Sequence, residues 1–117
     1  MTFYREKLEK AALRATMEFR RPITIESLRA SCKSLHHTKP RWFVMAYLHA
    51  TGDYSMPQIA RALKMEDHTT VLYGLRRAHG HDGKPPKRKY EVEPLWNKEQ
   101  FMNMVAADGF SETREAA

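Results

Sequence analysis

A chain of 117 residues is long enough for one apolar core and short for two, so a single domain with tails is expected. Twenty Lys and Arg against fourteen Asp and Glu give a formal charge of +6, which suits a polyanionic partner or plain solubility and does not choose between them. The lone Cys32 excludes an internal disulfide and has no ligand cluster for zinc, while the longest apolar stretch, Trp42 to Leu48, falls far short of the roughly 20 residues that span a bilayer.

At the N-terminus Arg5, Glu6 and Lys7 break up the apolar residues before a signal segment could form, and with the single thiol this leads us to expect a cytoplasmic location. From Tyr4 to about Arg20, helix formers carry Leu8, Ala11, Ala12, Ala15 and Phe19 on one face, a first amphipathic helix. Arg21-Pro22 interrupts it, because proline lacks the amide proton and pushes its predecessor out of helical dihedrals. Thr24 is placed to cap a short second helix that carries Ile25 and Leu28 and ends near Cys32. Lys33 to Pro40 is polar, holds His36, His37 and a proline, and reads as a loop. From Arg41 to Thr51, Phe43, Ala46, Tyr47 and Ala50 stand at i, i+3, i+4 and i+7, and Met45 and Leu48 widen the face. A helix apolar around so much of its circumference is expected at the centre, and Gly52-Asp53 ends it.

Ser55 and Gln58 have capping-box spacing with Pro57 in the first turn, and Met56, Ile59, Ala60 and Leu63 supply the apolar face of a short fourth helix. After the link Lys64-Met65-Glu66, Asp67 is an N-cap for a fifth helix with Val71, Leu72, Leu75 and Ala78 on one side. Gly80 to Lys89 is rich in glycine, proline and base, hence a linker or arm. Asn97 and Gln100 offer a second capping box, for a sixth helix to about Ala107 whose stripe is Phe101, Met104 and Val105. Asp108 to Ala117 shows no periodicity and is expected to fray. No strand pattern occurs, so the expected fold is all-α with about six helices: a helical domain over residues 1–79, a linker over 80–94, a C-terminal helix over 95–108 and a tail.

Two short helices joined by three or four residues describe a helix-turn-helix, a pattern that helical hairpins in cores share. The outward side of the fifth helix is more specific. At 100° per residue, Thr69, Tyr73 and Arg76 lie opposite Val71, Leu75 and Ala78, with Thr70 and Arg77 beside them. His68, Thr69 and Thr70 occupy the first turn, the part of a recognition helix that reaches base edges, while Arg76 and Arg77 are better placed for phosphates. The bland alternative is a solvated helix face with Asp67 as an ordinary cap.

Glu66-Asp67-His68-Thr69-Thr70-Val71-Leu72 resembles the signature of the DNA-binding domain of the bacterial replication initiator DnaA. The resemblance runs without gaps from about Ile25 to Arg77 and takes in Leu28, Lys39-Pro40-Arg41, Met45, Ala46, Leu48, Ser55, Pro57 and Ile59. It implies a helix-turn-helix of the DnaA C-terminal, Trp-repressor-like type, without the family's nucleotide-binding domain, since no phosphate-binding loop occurs. It also implies that Asp67, His68 and Thr69 read base edges in the major groove, with Thr70 on base or phosphate. An aspartate accepts from a cytosine amino group, and His68 and Thr69 offer polar edges or contact to a thymine methyl. The backbone at Met56 and Pro57 would meet phosphate, aided by the helix dipole. Lys39 and Arg41 match basic family positions, which implies that they pin the DNA backbone.

Two departures stand out against that resemblance. Where the family sends an arginine into the minor groove, this chain has Lys33, a more strongly hydrated point charge without the planar fork, and Leu35, His36 and His37 replace more basic or hydroxyl residues. In the turn, Lys64, Met65 and Glu66 stand where the family shows glycines and an arginine. A carboxylate there repels DNA, unless it caps the helix or reads cytosine.

His79, His81 and Asp82 make a poor metal set, with neither cysteine nor a second histidine pair, so no metal is expected. No nucleophile with a paired base and no cofactor loop occurs, so neither an enzyme nor a cofactor is expected. The basic residues Lys84, Lys87, Arg88 and Lys89 either track DNA phosphates or serve as a solvated linker. The expected partner is double-stranded DNA, read by a monomer that regulates transcription or replication. The alternative is a protein-interaction adaptor on the same fold with little or no DNA binding, and the C-terminal helix is a second place for a protein partner.

Overall fold

The computed structural model describes residues 2–29, 35–52, 54–65, 67–80 and 94–110. Among them are six helices and no strand: α1 (Thr2–Phe19), α2 (Ile25–Arg29), α3 (Leu35–Ala50), α4 (Met56–Ala62), α5 (His68–His79) and α6 (Lys98–Ala107). The all-α expectation holds, and so does the order of the helices.

In α1 the repeat of small and apolar residues buries Leu8, Ala11, Ala12 and Ala15 against α3. The helix stops one residue before the Arg-Pro pair: Arg20 takes a left-handed φ of 57°. The Thr16 hydroxyl then accepts from the Ile23 amide at 3.0 Å and donates to the Ala12 carbonyl at 3.0 Å, fixing the chain reversal into α2. Thr24 and Ser27 exchange side-chain and backbone bonds at the start of α2, where the sequence placed a cap.

The central helix begins earlier than its sequence indicates. Lys33 to Pro40 reads as a loop because of Pro40, yet α3 starts at Leu35 and carries Pro40 inside it. A proline there forfeits one backbone bond. Pro40 is itself buried, and the adjacent Arg41 donates from Nε to the Leu28 carbonyl at 2.9 Å, so tertiary contacts hold a turn that local preference would break. From Trp42 to Leu48 every residue of α3 is buried, and all five other helices pack on it.

The α4–α5 pair is the helix-turn-helix. Ser55 accepts from the Gln58 amide while Gln58 accepts from the Ser55 amide at 2.8 Å, so both arms of the capping box are present. The end of α4 is closed by Met65, whose amide donates to the Ala60 carbonyl at 2.7 Å, and by Arg29, whose Nε donates to the Ala62 carbonyl at 3.0 Å. Between them Lys64 adopts φ 59°, a region that costs a side chain with a Cβ but not glycine. Lys64→Gly is therefore expected to raise stability by about 0.5–1 kcal/mol, read as a higher midpoint in urea unfolding with an unchanged slope.

α3 and α5 cross closely because α5 has a glycine at the contact. A Cβ on Gly74 would collide with the Met45 sulfur and lie 2.9 Å from Trp42 Cδ1. The last segment returns to this same core. Leu95 and Trp96 donate their amides to the Arg77 and Ala78 carbonyls at 2.9 and 2.7 Å, satisfying the free end of α5. Trp96 meets Phe19, Phe43 and Phe101 edge to face, and its indole N–H donates to Glu18 at 3.1 Å. The Asn97 capping box is complete, and the Phe101, Met104, Val105 stripe faces inward.

The frayed end expected from Asp108 onward is corrected for residues 108–110. Asp108 accepts from Arg14 Nη2 at 2.7 Å and from Arg14 Nε at 3.0 Å, takes the Tyr47 hydroxyl as well, and Phe110 packs against the core. The missing periodicity was a poor guide because polar bonds and one aromatic anchor these residues, not an apolar repeat.

Candidate nucleic-acid interface

The fifth helix separates into two sides. Val71, Gly74, Leu75, Ala78 and His79 are buried, whereas Asp67, His68, Thr69, Thr70, Tyr73 and Arg76 are exposed. The exposed set is polar at the N-terminal turn and carries Tyr73 and Arg76 further along.

Asp67 is the N-cap, with one carboxylate oxygen accepting the Thr69 amide at 3.0 Å. That bond, and a further one from the Thr69 side chain, hold its carboxyl below the usual carboxylate range, so Asp67 is ionised at neutral pH. His68 Nδ1 lies 3.9 Å from the same oxygen.

The start of α4 lies beside this turn in sequence and offers less than a bare helix end. The amides of Ser55 and Gln58 are engaged in the capping box, and Pro57 has none, which leaves Met56 N–H as the amide of this turn that the box does not use. Lys39 is half-buried in α3. Arg41 is buried, at 8% exposure, and bolts α3 to the α2 carbonyl of Leu28, so little of it reaches solvent. Arg77, expected to face phosphate, folds back onto Trp42 and Tyr73. Lys33, Glu66, Lys84, Lys87, Arg88 and Lys89 lie outside the described residues.

Trp42 is the residue of this region that sequence reasoning passed over. It sits in an apolar run, where it reads as core, yet it lies under the exposed face of α5 and contacts both Tyr73 and Arg77. Gly74 was the available signal, since an isolated glycine inside a helix marks a close approach. His79, from the dismissed metal set, is buried against Phe101, and burial lowers its pKa, while its Nδ1 lies 3.0 Å from the Gly80 carbonyl oxygen. His81 and Asp82 lie outside the described residues. Among the described residues, no group of three or more His, Cys, Asp or Glu could hold a metal ion, and no helix is long and apolar enough to cross a membrane.

The family model for the bacterial dnaA protein helix-turn-helix matches residues 18–78, just over half the chain. The chain belongs to that family. The match takes in the last two residues of α1 and runs through to the last turn of α5, so most of α1, together with α6 and the segment before it, lies outside the matched region. No curated protein and no solved structure matches the chain significantly. Membership in the DnaA helix-turn-helix family supports double-stranded DNA as the partner.

Proposed function

We propose that this protein is a sequence-specific double-stranded DNA-binding regulator of transcription or replication that sets the N-terminal turn of α5 in the major groove. Asp67, His68 and Thr69 read base edges, and Thr70 touches a base or a phosphate. Arg76 meets phosphate, and so does the Met56 amide at the start of α4. Lys33 supplies the charge for the minor groove, Lys39 meets the DNA backbone, and the basic residues 84, 87, 88 and 89 add sequence-independent attraction. Gly80 and Leu95 are both hydrogen-bonded to the last turn of α5.

The observation that carries this reading is the exposure of the whole Asp67–Thr70 turn together with Tyr73 and Arg76 on a helix whose opposite side is sealed in the core. A face of this kind presents base-reading groups without unfolding anything. A well-placed contact of this type discriminates against the wrong base by about 1–3 kcal/mol.

The test is a selection of bound duplexes from a random double-stranded pool at moderate salt, with wild type and His68→Ala in parallel. The wild type is expected to enrich a short motif, and His68→Ala to lose preference at one or two positions of it while still retaining DNA. Arg76→Ala should instead weaken all sequences alike and lower the salt dependence by about one phosphate contact. No enrichment and no retention by the wild type would point to the adaptor reading instead.

A further inference from the structure

Arg77 lies on the exposed half of α5 and yet turns away from solvent. Its guanidinium carbon is 4.6 Å from the centroid of the Trp42 ring, its Nη1 donates to the Tyr73 hydroxyl oxygen at 3.1 Å, and its Nε is buried without a hydrogen-bond partner among the described residues. Trp42 and Tyr73 meet edge to face at 6.0 Å and 76°. The three side chains form one cluster over the α3–α5 crossing that Gly74 makes possible. Within it Trp42 is 7% exposed and Tyr73 is 54% exposed, on the same face as Thr69 and Arg76.

Reaching a phosphate would cost Arg77 both its stacking on Trp42 and its bond to Tyr73, whereas the neighbouring Arg76 is exposed and bears no such loss. The Tyr73 oxygen, meanwhile, accepts from a cation, so the phenolic proton must point elsewhere, and accepting that bond makes the O–H a better donor. One helical turn beyond the base-reading residues, a donor on this face meets the sugar-phosphate edge of the groove.

We propose that Arg77 serves DNA binding through Tyr73: stacked on Trp42, it is a positioning residue that holds the phenol so that Tyr73 O–H donates to a phosphate oxygen. The proposal rests on the reading of α5 as the recognition helix. It assigns the two neighbouring arginines different work, Arg76 as a phosphate cation and Arg77 as a support. A neutral donor releases no counterion, so this contact adds affinity without adding to the salt dependence.

The experiment is a binding cycle on the duplex that the wild type selects, with Tyr73→Phe, Arg77→Ala and the double variant, each titrated over a series of salt concentrations. Each single variant is expected to weaken binding about tenfold, and the double variant about tenfold as well, with the salt slope and the selected motif unchanged. A double variant weakened about a hundredfold, or a slope lowered by about one in Arg77→Ala, would make Arg77 a direct phosphate contact and overturn the proposal. A motif altered by Tyr73→Phe would overturn the phosphate assignment, because Tyr73 would then be reading a base. Arg77→Met keeps an unbranched stem over Trp42 and repeats the cycle if alanine lowers the melting temperature. His68→Ala separates the two levels: if it erodes sequence preference while the cycle proves additive, only this proposal fails. A wild type that binds no duplex overturns the recognition-helix reading and this proposal together.

Discussion

Phe101→Ala is expected to destabilise the protein by about 3–5 kcal/mol, a large part of the stability of a domain this size. Phe101 is fully buried, with ring centroids 5.1 Å from Phe43, 6.0 Å from Trp96 and 5.9 Å from His79. It therefore joins three separate parts of the chain: the central helix, the segment that satisfies the end of α5, and α5 itself. Truncation leaves a cavity among rigid aromatic rings that cannot collapse easily, which puts the loss at the upper end for a large-to-small change. Urea unfolding would show a lower midpoint in a single transition. A loss below about 1 kcal/mol, or an early separate transition for the C-terminal segment, would mean that α6 contributes little to the core that carries the helix-turn-helix.

Asp108→Ala is expected to cost about 3 kcal/mol, because it strands two partners at once. The Asp108 side chain is 9% exposed and accepts from Arg14 and from the Tyr47 hydroxyl, while Arg14 is 26% exposed. Removing the carboxylate leaves a buried phenol without its acceptor and a largely covered guanidinium without its counter-charge. The same group makes stability acid-sensitive. Burial on its own would raise the Asp108 carboxyl, but the hydrogen bonds from Arg14 and Tyr47 outweigh it and hold the folded value below the unfolded one. The stabilisation is thus complete above the unfolded carboxylate value, about 4, and is lost as pH falls through the folded value. Wild type should lose stability in that acid window, and Asp108→Asn should show a flatter profile there. An identical acid profile in the two proteins would show that Asp108 is not the responsible carboxylate.

Much of the architecture was legible because the signals were local. The Ser55/Gln58 and Asn97/Gln100 capping boxes appear as expected, since each is formed by residues three apart on one chain segment. Asp67 caps α5 for the same reason. The buried side of α5 follows from its period, and so does the burial of Trp42 through Leu48 from a run too apolar for a surface helix.

Where the reading failed, the deciding contacts were remote in sequence. Pro40 signals a break, and only the packing of α3 against its neighbours and the Arg41 bond to Leu28 show why the helix runs through it. Lys7 on α1 is buried although it is charged, with its ammonium 5.6 Å from the Phe110 centroid, and burial lowers its pKa. Arg41 was expected on the DNA backbone from the resemblance, and Arg77 at phosphate from its place on α5. Their partners, a carbonyl thirteen residues away and an indole on another helix, were invisible to a single-chain pattern.

The sequence by itself determined the order of the helices, the caps of α4, α5 and α6, the helix-turn-helix and the identity of the exposed turn Asp67–Thr70, because capping and periodicity act over a few residues and need no tertiary partner. Only the tertiary structure decided that Lys7, Arg41 and Arg77 turn toward carbonyls or rings and that the C-terminal helix shares the core. Those outcomes depend on which side chains meet across helices, and a charge in a sequence carries no record of whether it will face water, a carbonyl or a ring.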